Sequence, residues 1–211
     1  MNPESTKALL KKLYLPPQDR FTMVEVPDMP FVMIDGSSQP GGQSHTDAIK
    51  WLFAVTYPIK RMAKERMGKA FIEPPLEGLW WSDDPAAGKM CNRDGMNWRM
   101  MMAAPEWLDD AMLNDAARTA EEKLDRKSVG RPPESLRVDR FEEGLSVQIM
   151  VVGPYPDGAT ELLKRLHGEF LPRQALIPHG RHHEIYLNDP ARTAPSRRKT
   201  VVRQPVKPAQ D

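Results

Sequence analysis

The sequence contains a single cysteine, Cys91, among its 211 residues. One cysteine excludes an intrachain disulfide and a cysteine-based metal cluster, and it is typical of proteins that work in a reducing compartment. The first residues lack the apolar core of a signal peptide, and no run approaches the roughly 18 apolar residues of a membrane helix. We therefore expect a cytoplasmic protein with no membrane partner.

An excess of charge of either sign is also lacking, because 30 lysine and arginine residues balance 29 aspartate and glutamate residues. A net charge of +1 creates no field that would recruit nucleic acid. The residues ahead of the first predicted strand are too few for a helix-turn-helix module, which needs several helices. We therefore expect no nucleic-acid partner.

The composition is otherwise that of an ordinary globular protein, with 40% hydrophobic and 28% charged residues, enough to bury the core of one domain. A lysine-rich amphipathic turn, Lys7–Tyr14, stops at Pro16 and Pro17, so residues 1–20 are predicted to form an N-terminal arm. Residues 21–206 are predicted to form a single domain, and residues 207–211 form a tail.

Hydrophobic periodicity predicts both strands and helices, and hence an α+β fold with an antiparallel sheet. The predicted strands cover residues 21–26, 31–35, 77–85, 98–103, 136–141, 145–152, 182–190 and 200–206. Predicted helices begin near Thr46, near Glu106 and at Thr160. The turn residues 142–144 predict that the strands on either side of them form a hairpin.

The order of these elements repeats along the chain. Repeat one, at about 31–103, and repeat two, at about 136–206, each contain a strand, a helix and two strands, and a helix at 106–127 connects them. Two such repeats predict pseudo-twofold symmetry. Helices on one face of each sheet would leave the other faces to form a central ligand cleft.

The Asp-Pro pairs that end a strand in each repeat give a way to superpose them. Placing Asp84–Pro85 on Asp189–Pro190 puts Trp81 on Tyr186. Both aromatic residues are therefore predicted to line the cleft at equivalent positions.

The strand that begins at His182 carries a carboxylate between apolar and aromatic residues. With a period of two, His182, Glu184 and Tyr186 share one face, while Ile185 and Leu187 share the other. Removing a carboxylate from water is unfavourable by several kcal/mol, roughly, unless it is paired. Glu184 is therefore either a site residue or, in the alternative interpretation, a solvated side chain or the partner of a nearby arginine.

The histidines do not form a metal site in this pattern. His182 and His183 are adjacent on a strand and point to opposite faces. We expect no metal and no cofactor.

Five motifs, taken together, identify a family resemblance. They are Phe31–Gly36, Leu76–Trp81, Glu143–Met150, Gly153–Tyr155 and His183–Pro190. In these motifs, from about Leu10 to Val206, the chain resembles the GyrI-like small-molecule-binding proteins. Its closer match is to the stand-alone branch, which includes cyclopropanoid cyclopropyl hydrolases.

The resemblance implies a tandem strand-helix-strand-strand fold of the SHS2 type with a central ligand cleft. It also implies that Glu184 is the central glutamate, which in the wider family meets cationic, lipophilic ligands, and that Trp81 and Tyr155 occupy aromatic motif positions. The chain departs from the pattern at Val151, where the family often has histidine, and at Asp157, which Gly158 follows. No role is carried over to those positions.

As an enzyme, the chain is predicted to use Glu184 as a general base for a water that attacks the cyclopropane of a bound cyclopropanoid genotoxin. Tyr155 is the predicted catalytic donor to the carbonyl oxygen that becomes a phenolate, and Tyr57, Trp81 and Trp98 are alternative donors.

Aromatic side chains are predicted to hold a flat ligand by stacking. Trp80 or Trp81 and Tyr186 would form the walls, and His182 would orient Glu184. For any single tryptophan the competing interpretation is packing in the core, and Tyr57 would then face solvent.

Two other functions stay open. A non-catalytic multidrug-binding or sequestering protein would use Glu184 as the counter-charge of a lipophilic cation. A DNA gyrase inhibitor would need an exposed docking surface, which the balanced charge does not suggest. The expected partner is a lipophilic aromatic or cationic small molecule, and a homodimer is left open. The expected physiological role is detoxification.

Overall fold

The computed structural model describes residues 3–68, 71–83, 96–125, 129–154 and 159–209. Its helices are α1 (Pro3–Tyr14), α2 (Gln43–Met67), α3 (Asp110–Asp125), α4 (Ala159–Arg165) and the single turn α5 (Leu171–Arg173). A π-helical segment, Leu166–Phe170, joins the last two, and a short 3₁₀ turn covers Pro195–Arg197.

The strands are β1 (Thr22–Val26), β2 (Met29–Ser37), β3 (Leu76–Trp81), β4 (Asn97–Ala103), β5 (Arg137–Phe141), β6 (Gly144–Val152), β7 (Leu176–Pro178), β8 (His182–Tyr186) and β9 (Lys199–Pro208). The strand pairs with a recorded register are all antiparallel. The predicted α+β class with an antiparallel sheet is confirmed.

The chain divides into two compact units. The first unit comprises Met1–Asp28, Leu79–Asn92 and Glu142–Asp211, and the second comprises Met29–Gly78 and Arg93–Phe141. The predicted domain bounds remain a prediction. So does the repeat symmetry, because Asp84 and Pro85, which anchor the superposition, lie outside the described residues.

In the first unit the strand order is β1-β6-β9-β8, and β3 is the next neighbour of β8. Strand β9 is buried without interruption from Thr200 to Val206, so both of its faces are covered. Val147 and Val206 pack with Leu163 and Leu166 of the α4 and π-helical segments. On the opposite face of β9, Val201 packs with Ile185, Met150 and Tyr14 of α1.

In the second unit β2 lies between β4 and β5. Asp35 on β2 accepts two hydrogen bonds from Arg99 on β4, at 2.6 and 2.9 Å, and one from Arg137 on β5, at 3.0 Å. One carboxylate therefore links all three strands, and the two charge-assisted bonds from Arg99 fix the register of β2 and β4.

The predicted hairpin at residues 142–144 is wrong. Strand β5 pairs with β2, whereas β6 pairs with β1 and β9. Gly144 does adopt φ +68°, but residues 142 and 143 form no turn between β5 and β6. Each strand pairs with its long-range partners instead.

Two helix starts also differ from the prediction. Helix α3 begins at Asp110 rather than near Glu106, because the side chain of Asp109 accepts a hydrogen bond from the backbone N–H of Met112 at 2.8 Å and so caps the helix. Helix α2 begins at Gln43, before Thr46, and continues through Pro58.

Within the described residues no helix is long and apolar enough to cross a membrane.

Gly36 and Trp98 lie opposite each other on β2 and β4. The indole covers the glycine so closely that a Cβ atom there would overlap Cζ2 and Cη2 of Trp98. We predict that Gly36→Ala lowers the free energy of unfolding by about 1–3 kcal/mol, as expected for an overpacked core. Urea unfolding followed by tryptophan fluorescence measures the change.

Gly168→Ala is the matched control, because nothing lies within 4 Å of a Cβ at Gly168. Equal stability of the two variants would contradict the proposed packing of Trp98 on Gly36.

Candidate functional site

The predicted face of β8 forms a cluster around Glu184. The hydroxyl of Tyr186 donates a hydrogen bond to Oε2 of Glu184 at 2.7 Å, and Nε2 of His182 lies 3.3 Å from Oε1. Glu184 has no exposed surface, and His182 is 5% exposed. The structure therefore excludes the solvated alternative for Glu184, which is bonded to its i±2 neighbours.

This cluster lies under the helical side of the first unit. Glu184 is opposite Val202 of β9. By alternation the same face carries Val206, which packs with Leu166. Tyr186 is the partly exposed member of the trio, whereas His182 and Glu184 are buried.

A third histidine is electrostatically coupled to the cluster. His167 lies in the π-helical segment. Burial lowers the pKa of His167, and the charge of His182 lowers it further. His182 and Tyr186 thus bond one buried carboxylate with groups that can donate or accept a proton, and His167 lies near enough to His182 to be affected by its charge.

The other face of β8 carries a second buried carboxylate site. Nδ1 of His183 lies 3.0 and 3.1 Å from the two carboxylate oxygens of Glu143. Arg203 of β9 donates a hydrogen bond to Oε2 of Glu143 at 2.9 Å. All three side chains are at most 2% exposed.

Arg203 extends this network to the first helix. Its guanidinium also donates to Oε1 of Gln148 at 3.0 Å and to the backbone carbonyl of Leu13. The side-chain amide of Gln148 in turn donates to the carbonyl of Lys12 at 2.7 Å. Carbonyls in the last turn of a helix have no intrahelical partner, so these bonds satisfy two of them and hold α1 on the sheet.

Burial would by itself raise the pKa of Glu143. The neighbouring charges of His183 and Arg203 and their hydrogen bonds outweigh it and lower the pKa to about 2. Glu143 is therefore a permanent anion in a structural ion cluster, and it is poorly suited to proton transfer near neutral pH.

Trp81, at the end of β3, stacks with an arginine that precedes β8. The guanidinium carbon of Arg181 lies 3.6 Å from the centroid of the Trp81 ring, which is a close cation-π contact. Both side chains are partly buried.

The remaining predicted site residues lie elsewhere. Trp80 is buried in the core at 3% exposure. In the second unit Trp98 is 1% exposed and donates its indole N–H to Oγ of Ser38 at 3.2 Å. Tyr57 is 61% exposed, and Nζ of Lys123 lies 4.2 Å from its ring centroid. Tyr155 lies outside the described residues.

Several buried polar residues were given no role in the sequence interpretation. They are Glu77 on β3, Glu143, and Arg203 with its partner Gln148. Glu143 lies in a family motif and at a predicted turn, a position that usually indicates solvent. Only its distant partners show that it is buried. Within the described residues no group of three or more His, Cys, Asp or Glu side chains could hold a metal ion.

The family model of the GyrI-like small molecule binding domain matches residues 104–207. An uncharacterized conserved protein from Listeria innocua is 31% identical, with a TM-score of 0.82 over 95% of this chain and 98% of that chain. The chain belongs to the GyrI-like family.

Two further GyrI-like relatives from Listeria innocua are described as hydrolases. They are 32% and 31% identical, with TM-scores of 0.77 and 0.79, and each alignment covers 95% of this chain and 98% of theirs. None of the curated proteins compared with the chain matches it. Membership in the GyrI-like family indicates a small-molecule-binding domain.

The low pKa of Glu143 gives a testable pH dependence. A carboxyl with a pKa of about 2 in the folded protein, against its ordinary 4.5 in the unfolded chain, stabilises the fold above about pH 4.5, and this contribution disappears as the pH falls toward 2. Between pH 5 and pH 3 we expect this group alone to reduce the free energy of unfolding by about 2 kcal/mol.

Urea unfolding of the wild type and of Glu143→Gln over this pH range measures the effect. The variant keeps the shape of the side chain and lacks the titration, so its stability should fall less steeply with acid. Parallel slopes would contradict the assignment.

Proposed function

We propose that the chain binds flat aromatic small molecules and hydrolyses the cyclopropane ring of cyclopropanoid genotoxins, with Glu184 as the general base. The observation that carries the proposal is the 2.7 Å hydrogen bond from Tyr186 to the fully buried carboxylate of Glu184. Two relatives described as hydrolases support the reaction class. We propose that this activity serves detoxification in the cytoplasm.

The geometry suggests how Glu184 acts although it has no contact with solvent. Tyr186 is partly exposed and bonded to the carboxylate. In our proposal a water near Tyr186 gives a proton to the phenol oxygen while the phenol gives its own proton to Glu184. His182, 3.3 Å from the other oxygen, holds the carboxylate in place. Glu184 thus receives the proton of the water through the side chain of Tyr186.

The bonds and charges in the reaction balance. The water oxygen bonds to the cyclopropane methylene carbon, the strained C–C bond breaks, and its electron pair moves through the dienone to the carbonyl oxygen. That oxygen becomes a phenolate, which Tyr155 stabilises as hydrogen-bond donor. The proton held by Glu184 then returns through Tyr186 to the phenolate, so the net change is addition of one water.

Of the other predicted donors, Trp98 already donates its indole N–H to Ser38, and Tyr57 is largely exposed. Tyr155 therefore remains the proposed donor. Trp81 and Tyr186 remain the proposed walls of the aromatic site, and Trp80 belongs to the core.

We predict that Glu184→Gln reduces turnover of a cyclopropyl-dienone compound by about 10²–10⁴-fold, the usual contribution of a general base. Tyr186→Phe should reduce it by a similar factor because it interrupts the proton path, and Tyr155→Phe should also lower turnover. Mass spectrometry of the ring-opened product measures the rates. Near-ultraviolet circular dichroism checks that each variant is folded.

Glu169→Gln is the matched control, since the Glu169 side chain is 58% exposed on the same unit and should turn over normally. Wild-type rates in a folded Glu184→Gln would contradict the base assignment. Wild-type rates in Tyr186→Phe alone would mean that Glu184 contacts the water directly. Saturable binding without conversion by the wild type would favour the sequestering function.

A further inference from the structure

One face of the Trp81 ring is already occupied by a positive charge of the chain itself. At 3.6 Å from the ring centroid, the Arg181 guanidinium takes the position over the indole that a cationic ligand would need. A planar guanidinium stacks on an aromatic ring with little loss of hydrogen-bonding capacity, so it is a strong competitor for that position.

The backbone that leads to Arg181 is held to β9. The N–H of His179 donates to the carbonyl of Pro205 at 2.8 Å, and Nε2 of Gln204 donates to the carbonyl of His179 at 3.2 Å. Gly180 has φ +69°, and a Cβ there would lie 3.3 Å from Cγ of Pro205. The conformation of this connection therefore requires glycine. The backbone that carries the Arg181 side chain is thus held in place on β9.

The buried carboxylates of the first unit are engaged by side chains of the chain. Both oxygens of Glu184 have partners in His182 and Tyr186. A cationic ligand stacked on that face of Trp81 would therefore have to displace a guanidinium, and one on the other face would still meet its positive charge across the ring. A neutral or anionic aromatic ligand would keep it.

We infer that Arg181 is a specificity-determining residue that excludes lipophilic cations from Trp81 and selects neutral or anionic aromatic molecules. This inference rests on the proposed function, in which Trp81 is a wall of the ligand site. It also accords with the proposed reaction, whose substrate is a neutral dienone that acquires negative charge on its oxygen. A guanidinium at the site favours that charge, whereas a cationic ligand would meet repulsion.

The test uses two probes that share a shape and differ in the sign of their charge, tetraphenylborate and tetraphenylphosphonium. N-phenyl-1-naphthylamine serves as the neutral aromatic probe. For the wild type we expect tetraphenylborate to bind at least about tenfold more tightly than tetraphenylphosphonium. In Arg181→Met this ratio should fall to about twofold or less, because the variant keeps the side-chain length and removes the charge. Arg181→Lys should give an intermediate ratio.

Arg192→Met is the matched control, because it removes the same charge from an arginine that is 88% exposed and pairs with Asp189. Its preference for tetraphenylborate over tetraphenylphosphonium should equal that of the wild type. Binding by tryptophan quenching and by calorimetry gives the dissociation constants.

An equal ratio in the wild type and Arg181→Met, with saturable binding in both, overturns the inference and leaves the proposed function intact. An equal fall in the ratio for Arg192→Met also overturns it, because the selectivity would then come from net charge. If none of the three probes binds saturably to the wild type or to Arg181→Met, the inference is overturned together with the aromatic site of the proposed function.

Discussion

The first unit depends on one ion cluster, in which the buried carboxylate of Glu143 is bonded to His183 and Arg203. A carboxylate without water must have its charge matched, and removing one partner of such a buried group typically destabilises a protein by about 3–5 kcal/mol. Here the matching groups come from β8 and β9, and Arg203 adds the end of α1. The ion cluster therefore fixes three elements relative to one another.

Neighbouring strand residues point to opposite faces, so the position of His183 determines that of Glu184. The two carboxylates of the first unit then differ in kind. Glu143 is bonded to the permanent cation Arg203 and to His183, whereas Glu184 is bonded to an imidazole and a phenol. One face of β8 carries the ion cluster, and the other carries the carboxylate that we propose as the general base.

Whether an interaction could be predicted from sequence depends on how far apart its residues are along the chain. The contacts of Glu184 with His182 and Tyr186 span two positions, so strand alternation was enough to place them on one face. The contacts of Glu143 span 40 and 60 positions, and no local pattern indicates them. The hairpin at residues 142–144 failed for the same reason, since the partner of β5 is β2, about 100 residues earlier. Asp109 is a local cap signal, and it places the start of α3 after the predicted Glu106.

The docking of α1 has a consequence for how the chain is assembled. The carbonyl of Leu13 and the guanidinium of Arg203 are 190 positions apart. During synthesis α1 emerges early and β9 late, so the carbonyl of Leu13 lacks its Arg203 partner until the chain between them has been made. Gln148 of β6, which donates to the carbonyl of Lys12, is made earlier. Joining α1 to β9 therefore closes a very long loop, and the loss of chain entropy in that closure opposes it.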